Sequence, residues 1–248
     1  MKCCNAYESD SMVQMMGETL RPGGFSLTEK GLQFCKLSPE DAVLDLGCGR
    51  GATVNYLFVK HRIKAIGIDP SVKLIKAAKE EYGDTNFFLG NGENVPFSDH
   101  SFNCVFAECT LSLMDDLDST IKQVYRVLKE DGWFVITDVY AKHPDAVNKL
   151  NSFTFNSCMR GLHDLENLQE KLKKSGFNIK ISEDYSHLLK ELLVKIGFSY
   201  GSMSAFWNVT SQDCIDGCKF QEALKRCKPG YFMMVARKGG TEHGQYGF

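Results

Sequence analysis

The chain has 248 residues, 43% of them apolar and 24% charged, which bounds it to one sizeable globular domain or a core carrying a substantial insertion. With 29 basic residues against 31 acidic, a net charge of −2 and no basic stripe interleaved with aromatics, nucleic acid is not expected as the main substrate. No apolar run reaches membrane-spanning length and the N-terminus lacks a signal-peptide core, so a cytoplasmic location with no membrane partner is expected, its ten cysteines mainly thiols.

In chain order, residues 8–37 read as helices interrupted at Arg21-Pro22-Gly23-Gly24, where proline and paired glycines force a turn. From 42 to 140 strands and helices alternate. Strands fall near 42–46, 64–69, 86–90, 102–108 and 132–139, with helices near 52–61, 71–82 and 117–129. That alternation implies a parallel sheet covered on both faces. Beyond Tyr140 helical periodicity covers 145–158 and 164–175, and a sixth strand spans 177–185. A long apolar helix is predicted over 187–206 and another over 211–226. The last strand, 229–237, should run antiparallel beside the sixth. The domain reading is therefore an N-terminal helical segment (1–40), a core (41–186 and 228–238), a helical insertion (187–227) and a glycine-rich frayed tail (239–248).

The strand at 42–46 carries Asp45 and ends in a loop with Gly47, Gly49 and Gly51, followed by a helix from Ala52. Such glycines let backbone approach a ligand closely, and the helix start offers free N–H groups and positive dipole. Gly47-x-Gly49-x-x-Ala52 satisfies a relaxed dinucleotide fingerprint, with Asp69 at ribose distance. Asp45 shifts that balance: a carboxylate here repels pyrophosphate and suits an ammonium. An amino acid joined to a nucleoside meets both ends, and S-adenosylmethionine (SAM) is that molecule. In the loop after the third strand, Asn91 can meet the adenine amino group and the Gly92 N–H a ring nitrogen. A fourth strand ends at Ala107-Glu108-Cys109-Thr110.

With these segments in this order, residues 40–140 and 230–238 resemble the class I SAM-dependent methyltransferases. The likeness is to the small-molecule branch that contains quinone-biosynthesis and arsenite methyltransferases. The resemblance implies an α/β, Rossmann-like, seven-stranded and mostly parallel sheet with an antiparallel last strand, helices on both faces and a helical lid insertion. It implies SAM as cofactor, held by Asp45, Gly47, Gly49, Asp69, Asn91 and Gly92, with Glu108 and Cys109 near the methionine portion. It also implies an N-terminal segment across the cofactor mouth and a small-molecule acceptor beneath the insertion. Asn91 and Asn103 stand where the family usually has Asp.

For acid–base work the sequence offers little. Tyr140 and His143 follow the fifth strand at the correct end of the sheet, although a solvated loop histidine is the blander reading; His163 and His187 have less in their favour. Tyr7, Phe25 and Trp207 can face a sulfonium or simply pack. Cys214 and Cys218 lie one helical turn apart, and with Cys158 and Cys227 can form a thiolate cluster for a soft metalloid, against the alternative of incidental thiols. Their spacing is that of no zinc ribbon or finger, and no other metal site is expected. Methyl transfer to a small molecule leads. Arsenite methylation, a non-catalytic SAM-binding protein and a nicotinamide oxidoreductase are the competitors. Nucleic-acid methylation is disfavoured because the fourth strand lacks an Asn/Asp-Pro-Pro-aromatic element and no proline precedes a cysteine. The oligomeric state stays open.

Overall fold

The computed structural model describes residues 4–239 except 10, 14–16, 18 and 20. The tail expected at 239–248 thus lies almost wholly outside the described residues. Seven strands form one sheet: β2 Ala42–Leu46, β3 Lys64–Asp69, β4 Phe87–Leu89, β5 Phe102–Glu108, β6 Leu128–Ala141, β8 Phe177–Asp184 and β9 Pro229–Lys238. Their order is β4-β3-β2-β5-β6-β9-β8. β9 is antiparallel to both β6 and β8, so it alone runs against the rest. The last strand does lie antiparallel beside the sixth, and it also separates the sixth from the fifth.

The central strands are almost continuously buried because helices cover both sheet faces, giving two apolar layers. α2 Ala52–His61, α3 Val72–Tyr82 and α4 Leu117–Val127 connect the parallel strands. The start of α4 is fixed by Asp116, which accepts the Ser119 amide at 3.0 Å, and its Ile121, Val124 and Val127 face the sheet. α1 Ser26–Cys35 and α5 Leu165–Lys174 complete the expected set. Asn103 accepts the Ala42 amide at 3.0 Å and Lys129 Nζ at 2.8 Å, joining the starts of β2 and β5.

Three expectations are corrected. The helix read over 187–206 is two helices, α6 Ser186–Tyr200 and α7 Met203–Thr210. Gly201 ends the first at φ 75° and Ser202 caps the second through the Ala205 amide. The helix read over 211–226 begins only at Gly217 (α8 Gly217–Cys227), because Asp216 takes the Cys218 and Lys219 amides. Residues 145–158 are a 3₁₀ run, Pro144–Ser152, and a short strand β7, Phe155–Asn156, that pairs in parallel with β1, Cys4–Asn5. No described helix is long and apolar enough to cross a membrane.

Candidate cofactor site

β2 and β3 are parallel neighbours, with Asp45 opposite Gly67 and Leu46 opposite Ile68. Their carboxyl ends, together with that of β5, border a cleft of about 320 Å³ lined by Asp45, Gly47, Gly49, Asp69, Asn91, Gly92, Glu108 and Cys109. All eight residues singled out for the cofactor therefore share one wall system. Asn5, Tyr7, Thr19 and Arg21 from the N-terminal segment and Asn156 of β7 also line it.

Asp45 is 3% exposed, yet takes no hydrogen bond from any described residue. Its oxygens are open to the cleft rather than sealed in the protein. Burial, reinforced by the charge of Glu108 and opposed by Arg21, pushes its pKa up to about 8. An unpartnered buried carboxylate of this kind fits a cationic ligand group. Asp69 behaves differently. Oδ2 accepts the Gly49 amide at 3.0 Å and Oδ1 the Ser71 amide at 2.8 Å, while desolvation still raises its pKa. Each oxygen keeps a lone pair for a diol. Gly49 (φ 52°) has nothing within 4 Å of where a Cβ would stand, leaving space for a ligand. The residues present thus fit an amino acid joined to a nucleoside.

Two assigned contacts look different in three dimensions. Asn91 is exposed and its carbonyl oxygen accepts the Asn94 amide at 2.9 Å, so one acceptor site remains for an adenine amine. Glu108 is already engaged on both oxygens: Thr28 Oγ1 donates to Oε1 at 2.8 Å, Thr53 Oγ1 to Oε2 at 2.9 Å, and Arg21 Nη2 lies 2.9 Å from Oε2. Arg21, Thr28 and Thr53 were invisible as site residues, since no local spacing marks a partner far away in the chain.

The catalytic candidates Tyr140 and His143 stand apart from this cleft. Neither lines the cleft; Tyr140 packs on Phe232 and His143 is exposed, capping the 3₁₀ run. Phe25 stacks on Tyr56 instead, with centroids 3.9 Å apart. The cysteine cluster does not assemble. Cys158 lies beside Cys109, Cys214 is disulfide-bonded, Cys218 is exposed and Cys227 is buried against the Ala223 carbonyl. Among the described residues no group of three or more His, Cys, Asp or Glu is placed to hold a metal.

A Rossmann-like sheet with a glycine loop between two buried carboxylates is the architecture of a nucleoside-binding site. Residues 44–136 match a methyltransferase domain model. The chain is 31% identical over 164 residues to an uncharacterized methyltransferase, YodH, of Bacillus subtilis, covering 63% of this chain and 68% of that protein. It is 30% identical over 179 residues to phosphoethanolamine N-methyltransferase 1 of Zea mays, covering 70% of this chain. That match spans only 35% of the maize protein's length. In three dimensions it is similar to Haemonchus contortus phosphoethanolamine N-methyltransferase 2 in complex with SAM. The TM-score is 0.72 at 19% identity, covering 93% of this chain and 56% of that one. The chain belongs to the class I SAM-dependent methyltransferases, whose cofactor is SAM.

Proposed function

We propose that this chain transfers a methyl group from SAM to a small-molecule acceptor. The observation that carries the reading is the pair of buried carboxylates, Asp45 and Asp69, set at the ends of adjacent parallel strands around one cleft. Asp45 receives the ammonium and Asp69 the ribose hydroxyls. Asn91 and the Gly92 N–H address adenine, and the backbone at Gly47 and Gly49 allows close approach. Glu108, held by Arg21, Thr28 and Thr53, fixes the floor beside Cys109.

When bound, SAM supplies an electrophilic methyl on a sulfonium. The protein's part is alignment and exclusion of water, and correct positioning alone is worth roughly 7–11 kcal/mol of barrier. The N-terminal segment, with Tyr7, Thr19 and Arg21 on the cleft, acts as its cover, and the helices over 186–227 roof the acceptor. Calorimetric titration with S-adenosylhomocysteine tests the cofactor assignment: one equivalent should bind, and NADH should give no thermal protection. Incubation with methyl-labelled SAM and small acceptors then separates an enzyme from a non-catalytic binder, since only an enzyme labels the acceptor.

A further inference from the structure

The helices over 186–227 border a groove of about 370 Å³ that shares no lining residue with the cofactor cleft. Its size falls within the roughly 300–1,000 Å³ of small-molecule sites. Four exposed lysines rim it, each from a different stretch of chain: Lys142 after β6, Lys190 of α6, Lys225 in the last turn of α8 and Lys228 in the turn into β9. The floor is apolar. Met159 and Leu193 form it with the buried Trp207, whose Nε1 donates to Gln221 Oε1 at 2.7 Å and so holds the indole in place.

Backbone hydrogen bonds hold three of these lysines together. The Lys142 amide donates to the Lys228 carbonyl at 3.3 Å, and the Lys228 amide to the Lys225 carbonyl at 3.3 Å. Their charges are poorly answered. Of the four, Lys142 alone forms an ion pair with a described residue, Asp184, and that contact is a loose 3.8 Å between exposed side chains. Among the described residues no Asp or Glu lines the groove. Lys225 meets the C-terminal dipole of α8, but Lys142 and Lys190 stand on other elements and have no such role. A chain of net charge −2 thus gathers four cations around one apolar floor, where an anion would relieve their repulsion.

We propose that this groove is a binding site for an amphipathic anion, a ligand carrying one phosphate or carboxylate group on an apolar body. The anionic group meets the lysines, and the body lies along Met159, Leu193 and Trp207. Each exposed lysine contributes little and is screened by salt, so affinity comes from several converging charges together with burial of the apolar body. An inorganic anion lacks the second part and a neutral amphiphile the first. The site goes beyond the methyl-transfer reading and does not depend on it. Its floor residues Met159, Leu193 and Trp207 also line a smaller cavity of about 40 Å³, which meets the cofactor cleft at Tyr7 and Cys109.

The test uses Trp207 as its reporter. Trp133 is the other tryptophan of the chain, so in Trp133→Phe the indole fluorescence comes from the groove floor. Hexyl phosphate or hexanoate should change that fluorescence saturably, and the tighter of the two identifies the head group. Hexanol, hexylamine and inorganic phosphate should each bind at least tenfold more weakly. Lys190→Gln, Lys225→Gln and Lys228→Gln combined should weaken the tighter anion at least tenfold. Glutamines at Lys60, Lys173 and Lys174, exposed and outside the groove, remove the same charge and should leave it unchanged. Saturable binding of neither anion overturns the proposal, as does hexanol or inorganic phosphate binding as tightly as hexyl phosphate, or equal weakening by the two triple variants. Affinity for S-adenosylhomocysteine, measured separately, should be the same in all these proteins, and the methyl-transfer reading stands or falls on that titration instead.

Discussion

Asp69 Oδ2 accepts the Gly49 amide at 3.0 Å, so the carboxylate that closes β3 also fixes the glycine loop that follows β2. The same side chain takes the Ser71 amide, and thereby shapes the entry to α3.

Replacing Asp69 with Ala therefore has two effects of different size. Two backbone hydrogen bonds to a charged acceptor are lost, each worth about 1.5–3 kcal/mol, with water able to replace part of them in the open cleft. Loss of the ribose contacts should weaken S-adenosylhomocysteine by at least about 100-fold, which corresponds to some 2.7 kcal/mol. Asp69→Asn, which keeps one carbonyl acceptor, should fall between. Calorimetry reads the affinity and thermal unfolding the stability. Unchanged affinity in the Ala variant would remove the ribose assignment.

Asp45, if it receives the ammonium as proposed, should make cofactor affinity depend on pH. With its pKa at about 8 in the ligand-free protein, much of this carboxyl carries a proton at pH 7. A cationic ligand binds the ionised form, so affinity should rise up to tenfold per pH unit from pH 6 and level off above pH 8. Asp45→Asn should bind more weakly and with a flat profile over that range. The stability of the free protein runs the other way. The folded pKa lies above the unfolded value of about 3.9, so folding takes up a proton between them and stability falls as pH rises from 4 towards 8. Asp45→Asn should accordingly raise the Tm of ligand-free protein, by more at pH 8 than at pH 5.

Two loop glycines should separate folding from binding. Gly51 sits at φ 85° and a Cβ there would stand 2.5 Å from the ring of Phe87, which is 1% exposed and cannot retreat. Gly51→Ala should cost at least about 2 kcal/mol through strain and overpacking. Gly49→Ala meets no atom within 4 Å and carries only the left-handed backbone strain of its φ 52°, about 1–2 kcal/mol, so it should lower the Tm less than Gly51→Ala while losing affinity for S-adenosylhomocysteine. Equal losses of stability in the two variants would contradict this division.

The core was legible because its strands are short apolar runs closed by acids and glycines. Ala42–Leu46, Lys64–Asp69 and Phe102–Glu108 stand where the pattern placed them. Asp45 and Asp69 could be paired from sequence because adjacent parallel strands of similar length bring their ends together. Gly201 was missed because the apolar residues around it continue a helical period, whereas the break depends on one left-handed residue and a serine cap. The β1–β7 pairing has two residues on each side, too few to show a period. Tyr140 and His143 were at the correct end of the sheet, but β9 runs beside β6, and the Tyr140 ring packs on Phe232 instead of facing the cleft.

Arg21 joins fold and site most directly, and its removal should be read in both. Its guanidinium and Glu108 are 6% and 2% exposed as side chains and lie 2.9 Å apart. Arg21→Met leaves Glu108 buried without a counter-charge, which should destabilise the protein by about 3–5 kcal/mol. Glu108→Gln added to that variant removes the stranded charge, and should recover a large part of the loss in a double-mutant cycle. The second consequence concerns Asp45, whose pKa Arg21 lowers. Without the guanidinium that pKa rises further, so the pH at which S-adenosylhomocysteine affinity levels off should move above 8 in Arg21→Met. It should return towards 8 in the double variant, because Glu108, which raises the Asp45 pKa, is then neutral as well. A pH profile identical to that of the unmodified protein in both variants would show that Arg21 acts on packing alone and not on the carboxylate in the cleft.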